Sequence, residues 1–214
     1  MRLALKGLIP VPLIEKVETY NSGIWKTTLN LEQGEQVFVQ APSGTGKTTL
    51  MHILYGIRKD FEGQVYWDAN SMEKIGTEQL SQIRASYLSI IFQDLRVFPD
   101  LTAWENLEVK RRLTNTITEE EVTTWLERLG LKDKRDSLAG TMSYGEQQRL
   151  CIIRALVQPF DWLLMDEPFS HLDKLNIGKA INLIAEVVAK NKAGMILADL
   201  DENYFFPYTQ TFLL

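Results

Sequence analysis

Two short runs in this sequence have the residue types that phosphate chemistry needs. Residues 41–49 read A-P-S-G-T-G-K-T-T, and residues 162–168 read W-L-L-M-D-E-P. In the first run, Gly44 and Gly46 let backbone N–H groups turn toward one anion, with Ser43, Thr45 and Thr49 completing the loop. Lys47 can reach the β- and γ-phosphates of a nucleotide, and the Thr48 hydroxyl can ligate Mg²⁺. The leading position of the G-x-x-x-x-G-K-[ST] pattern is Ala41 rather than glycine. In the second run an apolar stretch ends in two adjacent carboxylates. Asp166 suits a Mg²⁺-linked water, and Glu167 suits a general base for an attacking water. Each run has a plain alternative: an ordinary strand–loop–helix turn with a surface lysine, or a strand that ends in acidic loop residues. Occurring together in this order, they point to an ATP site.

The elements around them fit that use. Residues 35–40 (EQVFVQ) read as a strand, 41–46 as a small-residue loop, and Lys47–Tyr55 as a helix closed by Gly56. Residues 63–68, 161–165 and 194–198 read as further strands, and TQTFLL as a last one. Between the two late strands, Ile177, Ile181, Ile184, Ala185 and Val188 mark one face of a long helix. Strand, helix, strand in that order implies a right-handed crossover and a parallel sheet. The stretch 94–150 differs and is expected to be mostly helical. Thr118 and Glu121 form a capping box there, Val122, Trp125, Leu126 and Leu129 recur at helical spacing, and Gly130 ends the run. M-S-Y-G-E-Q-Q-R at 142–149 opens another helix, with Ser143 and Glu146 as its capping box.

Composition narrows the class. The chain has 214 residues and a formal net charge of -5, without the basic excess of a nucleic-acid binder. No apolar run approaches the roughly 18 residues that span a bilayer. The apolar N-terminus is broken by Lys6, Pro10 and Pro12 and reads as a strand rather than a signal peptide. A single cysteine, Cys151, rules out an intrachain disulfide and fits a reducing compartment.

These motifs together resemble the ATP-binding subunits of ABC transporters, over essentially the whole chain. The family signature, LSGGQ or LSGGE followed by Q-Q-R, matches residues 142–149. In I-I-F-Q-D, Gln93 matches the glutamine loop, and in F-S-H-L-D, Ser170 and Asp173 match the D-loop. The segment L-R-V-F-P-D-L-T-A-W-E-N is similar to that of the lipoprotein-release, macrolide-export and cell-division subgroup. The resemblance implies an α/β fold, a P-loop NTPase of the ABC type. It would have a mainly parallel core sheet, an N-terminal antiparallel β subdomain and an inserted helical subdomain at 94–150, the core lobe comprising 1–93 and 151–214. It also implies ATP and Mg²⁺ as cofactors, with Gln93 linking Mg²⁺ and the attacking water to the helical subdomain. A head-to-tail dimer with a second ATP-binding subunit, the same chain or a paralogue, would bring Ser143 and Gly145 to the γ-phosphate. Tyr20 is the candidate to stack on adenine, with Trp25 the alternative or simply a core residue. The partner would be a membrane-embedded permease subunit, with this chain peripheral on the cytoplasmic face and no nucleic acid involved.

Beside Ala41, two further positions depart from the family pattern. Tyr144 replaces the first signature glycine. In L-A-D-L-D, Leu200 takes the place of the switch histidine, and leucine cannot donate to a γ-phosphate or hold a water. Loss of one such positioned group costs on the order of a hundred- to thousandfold in rate. His171, in the D-loop, is either a dimer-contact residue or a substitute for it. His52 reads as structural. The leading expectation is a hydrolysing transporter subunit with slow turnover. A nucleotide-gated module with negligible turnover, and a soluble ABC protein without a transporter, are the alternatives.

Overall fold

Alternation of apolar strands with amphipathic helices yields two sheets with different connection rules. The computed structural model describes residues 1–17, 22–200 and 205–214. In chain order the elements are β1 (Leu3–Pro10), a short turn leading into α1 (Ile14–Val17), β2 (Thr28–Leu31), β3 (Gln36–Gln40), α2 (Lys47–Leu54), β4 (Phe61–Trp67) and β5 (Asn70–Ser71). They continue with α3 (Thr77–Ser86), β6 (Leu88–Ile91), α4 (Ala103–Thr114), α5 (Glu119–Arg128), α6 (Tyr144–Leu156), β7 (Trp162–Asp166), α7 (Lys174–Asn191), β8 (Gly194–Asp199) and β9 (Gln210–Leu213).

Strands β2-β1-β4-β5 form an antiparallel sheet, and β6-β7-β8-β3-β9 form a parallel one. Because side chains alternate across a strand, the parallel sheet serves two cores. Val37, Val39, Trp162, Leu164 and Ile196 pack toward α2 and the antiparallel sheet. Phe38, Leu163, Met165, Met195 and Leu197 pack toward α4–α7. A parallel sheet also gathers the ends of its strands on one edge. Val39 pairs with Ala198, and Ala198 with Asp166, so one row crosses three strands. The glycine-rich loop, the carboxylate pair and the candidate switch position all begin within two residues of that row.

The helix α5 follows its sequence signals closely. The Thr118 hydroxyl accepts from the Glu121 N–H, the reciprocal contact is present, and Gly130 is left-handed at φ 67°. Helix α7 differs from the expected face. Ala180, Leu183, Ile184, Val187 and Val188 are buried, Ile177 and Ile181 are partly so, and Ala185 is exposed. The stripe is rotated because α7 packs against both α6 and α5 over the shared core. Residue 150 lies inside α6, which runs from the 142–149 motif to a contact with β6.

Candidate functional site

The phosphate loop ends in a helix start that its own side chains leave open. Helices α4, α5 and α6 each carry a complete capping box. Helix α2 begins after Gly46 at φ 109°, with no side-chain cap. Its first N–H groups therefore point outward as donors, the arrangement that receives an anion. Any Cβ at residue 46 would be strained at that φ and would meet Leu13 at 2.6 Å and the Trp25 ring at 3.2 Å. Trp25 is buried and its indole N–H donates to the Thr45 carbonyl at 3.3 Å. It forms the floor of the loop, a role that its position in the sequence does not reveal. Tyr20 lies outside the described residues.

Lys47, buried to 6% exposure, donates to the Ala41 carbonyl at 2.8 Å and lies 3.2 Å from Glu167 Oε1. Gln93 donates to Glu167 Oε2 at 3.0 Å and accepts from the Thr48 hydroxyl at 3.3 Å. The structure thus brings together Lys47, Thr48, Gln93 and Glu167 from three segments. A cavity of about 290 Å³ lies over them, lined also by Ser43, Gly44, Gly46 and Thr49. Glu167 holds its place at φ 45°, a left-handed angle that is costly for a residue with a side chain, with its N–H bonded to the Ala198 carbonyl.

Asp166 is different. It is 1% exposed, and neither carboxylate oxygen has a hydrogen-bond partner among the described residues. Burial pushes its carboxyl up to about 6, the Thr48 hydroxyl pulling the other way. A buried carboxylate with both oxygens unused, beside a threonine hydroxyl and a glutamine, suits a hard cation with oxygen ligands.

The signature end of α6 faces outward. Ser143 caps the helix, and Tyr144 is 70% exposed. Tyr144 touches the D-loop histidine: the Tyr144 and His171 rings lie 5.5 Å apart, tilted by 44°. Gly145 sits in close approach to the D-loop, where a Cβ would meet the His171 carbonyl oxygen at a tight 3.0 Å. Behind them is a residue that sequence reasoning passes over. Gln148, buried, accepts from the His171 N–H at 2.8 Å and donates to the Glu167 carbonyl and the Ser170 hydroxyl, each at 3.4 Å. It fastens the signature helix to the catalytic strand end, and its position within Q-Q-R is the available signal. Leu200 is 42% exposed, its N–H bonded to the Asp199 carboxylate. His52 is half-buried, edge-on to Phe92 and 3.4 Å from Arg96; burial first, then that guanidinium, lowers its pKa.

Known proteins share this arrangement. A family model described as ABC transporter matches residues 25–170. The lipoprotein-releasing system ATP-binding protein LolD of Legionella pneumophila (strain Lens) is 32% identical over 81% of this chain and 78% of its own. The aliphatic sulfonates import ATP-binding protein SsuB of Bacillus anthracis is 34% identical over 80% of this chain and 66% of its own. Among solved structures, a dimeric bacterial ABC transporter cassette superposes with a TM-score of 0.78 at 26% identity, covering 93% of this chain and 88% of that one. A dimeric post-hydrolysis state of the same cassette, bound to ADP and Pi, gives 0.77. With the family model spanning both the phosphate loop and the carboxylate pair, and such relatives covering four fifths of the sequence, this chain belongs to the ABC transporter family, among its ATP-binding subunits.

Proposed function

We propose that this chain binds and hydrolyses ATP at the edge of its parallel sheet and transmits the resulting motion to a membrane-embedded permease subunit. The observation that carries the reading is the Lys47–Glu167–Gln93–Thr48 network beside the partnerless Asp166 carboxylate. On nucleotide binding the loop N–H groups of residues 43–49 and the Lys47 ammonium hold the phosphates. Thr48, Asp166 and Gln93 would hold Mg²⁺, which when bound neutralises developing charge on the phosphate oxygens. Lys47 then turns from Glu167 to the phosphates, which frees the Glu167 carboxylate to accept a proton from the attacking water. Gln93, already bonded to Glu167, positions that water.

Neither Ser143 nor Gly145 lines the cavity over Lys47 and Glu167; their contact with a γ-phosphate would come through a second subunit arranged head to tail. Tyr20, from its place upstream of the phosphate loop in the sequence, would stack on adenine. The core lobe is 1–93 with 151–214, and the helical lobe 94–150 meets the permease. No helix among the described residues is long and apolar enough to cross a membrane, in keeping with a peripheral place on the cytoplasmic face. The alternative of a nucleotide-gated module with negligible turnover is favoured by one feature, the apolar Leu200 at the switch position. Phosphate release from labelled MgATP, with and without the co-purified membrane partner, separates the two. Release that Glu167→Gln abolishes supports hydrolysis. Stoichiometric binding with no release in either setting overturns it.

A further inference from the structure

Immediately after Gln93 the chain does something unusual. Leu95 and Arg96 are consecutive residues with side chains at φ 58° and 53°, both left-handed. Two such angles in succession are held only where surrounding contacts over-determine them. Arg96 is held locally, by the Asp94 carboxylate at 2.9 Å and over the Phe92 ring at 3.9 Å, whereas the contacts on Leu95 come from α6. The Leu95 carbonyl oxygen accepts from the Cys151 thiol at 2.7 Å and from Arg154 Nη2 at 2.9 Å. Leu95 itself is buried, with 5% exposure. Burial pushes the Cys151 thiol up to about 11, so it keeps the proton it donates.

Arg154 also faces the other way. Its Nη1 reaches the Asn106 side-chain oxygen at 3.4 Å, and its guanidinium lies 5.9 Å from the Phe98 ring centroid. Asn106 is fully buried and donates to the Phe98 and Thr102 carbonyls at 3.0 Å each. Its oxygen accepts from the Phe98 N–H at 2.9 Å. The segment 98–102, which leads into α4, is thus tied to the same guanidinium that grips the Gln93 loop.

We propose that Arg154, assisted by Cys151, is a positioning residue for Gln93: it clamps the Leu95 carbonyl so that displacement of the 98–106 segment is passed to Gln93 and thence to Glu167. The proposal rests on Gln93 acting in hydrolysis as described above. Helix α6 then has three attachments: the signature at its start, Gln148 on the D-loop, and Arg154 on the glutamine loop. A rigid helix with those attachments keeps the three in one register.

The test uses the full chain with five variants: Gln93→Ala, Arg154→Met, Arg154→Lys, Arg154→Met combined with Gln93→Ala, and Cys151→Ala. Arg154→Met keeps a long apolar stem and removes every donor, whereas lysine retains one. Small misplacements of a catalytic group cost about tenfold to a hundredfold. We expect Arg154→Met to lower kcat by about that factor with KM changed less than about twofold, and Arg154→Lys to recover part of it. The double variant should be no slower than Gln93→Ala alone. Amide exchange of residues 94–98 should quicken in Arg154→Met while that of α6 is unchanged, a readout that needs no turnover. Cys151→Ala should produce a weaker version of the same exchange change, and it carries that test where Arg154→Met fails to fold. Native-like exchange at 94–98 overturns the proposal, as does additive loss in the double variant. A Gln93→Ala chain with undiminished turnover would instead overturn the hydrolytic role of Gln93, and the positioning role with it.

Discussion

Two stretches of the same edge are built on different plans. Around Lys47 the chain supplies its own partners: the ammonium is buried, touches the Ala41 carbonyl and Glu167, and is joined through Gln93 to Thr48. Around Tyr144 the side chains look outward, the ring 70% exposed against His171, with Leu200 42% exposed in the candidate switch position. The first region is preorganised by one chain. The second is an exposed surface, which in the proposed head-to-tail dimer another subunit would complete. Tyr144 and Leu200 fall in the second region, while the pieces that grip phosphate sit in the first, where the one departure, Ala41, still offers its carbonyl to Lys47. A cassette can therefore lose trans contacts and keep its own nucleotide grip, and the two functions become separable by mutation.

The sharpest break should come from Glu167→Gln. The amide keeps the shape and the hydrogen bond to Gln93 but accepts no proton, so turnover should fall by about 10²–10⁴-fold while ATP still binds. With hydrolysis stopped, mass in solution should rise on adding MgATP. A variant that stays monomeric at saturating nucleotide would show that closure needs the membrane partner. Next in size is Lys47→Ala. Removing a buried, paired cation typically costs about 2–5 kcal/mol, so MgATP affinity should drop by about 30-fold to several thousandfold in a calorimetric titration. Unchanged affinity would overturn the phosphate-loop assignment.

The outward region should respond in the opposite sense. Leu200→His restores a polar group where charge develops, and Tyr144→Gly removes a ring from the signature. Turnover should rise by about ten- to a hundredfold, with ATP affinity nearly constant. A rise confined to the double variant would mean that dimer closure couples the two positions. Collapse of native turnover in His171→Ala would show that the D-loop imidazole already serves. Fast native turnover indifferent to all four changes would remove the idea of a slow ATPase.

The smallest effect is on pH-dependent stability, and its sign differs between the regions. Asp166 is raised to about 6, first by burial. Its protonated form is favoured in the folded chain, so its contribution is whole below the ordinary value of 3.8 and is lost as pH rises through about 6. Glu146 is lowered from 4.5, first by the Ser143 N–H, so its contribution is present above 4.5 and is lost as pH falls. Thermal unfolding of Asp166→Asn should lose the downward slope between those Asp166 limits, by about a few degrees in Tm. Glu146→Gln should lose only acid sensitivity. Identical pH profiles for both variants and the native chain would cancel the distinction.

What can be read in advance follows the range of the interactions. Helix α5 is legible because its cap, periodicity and closing glycine are all local, and the strand before the phosphate loop likewise. Strand β4 reads from 63 in the sequence, but it begins at Phe61 because Phe61 pairs with Pro10 and Glu62 with Ile9, partners far away along the chain. The face of α7 differs from its periodicity at Ala185 since the neighbours that choose it, α6 and α5, are also remote. Helix α4 carries a Thr102–Glu105 capping box, a local signal as readable as that of α5 but not used in the sequence reading. At the site, residue types give the candidates, while the Lys47–Glu167 contact, the Trp25 floor and the Gln148 tie arise only when distant strands are laid side by side.

The indole beneath the phosphate loop has an optical consequence. Five tryptophans contribute to emission; of these, Trp67 and Trp162 lie together in the core with ring centroids 5.7 Å apart, and Trp125 is buried in the helical region. Trp25 is the one whose ring is hydrogen-bonded to the loop that would take the phosphates, through the Thr45 carbonyl. Indole fluorescence responds to the electric field at the ring, and a polyphosphate arriving on residues 43–49 changes that field from one residue away. The protein therefore carries an internal chromophore for nucleotide arrival. Replacing Trp25 with phenylalanine should silence the ATP-dependent part of the spectrum and leave the emission of the core pair intact.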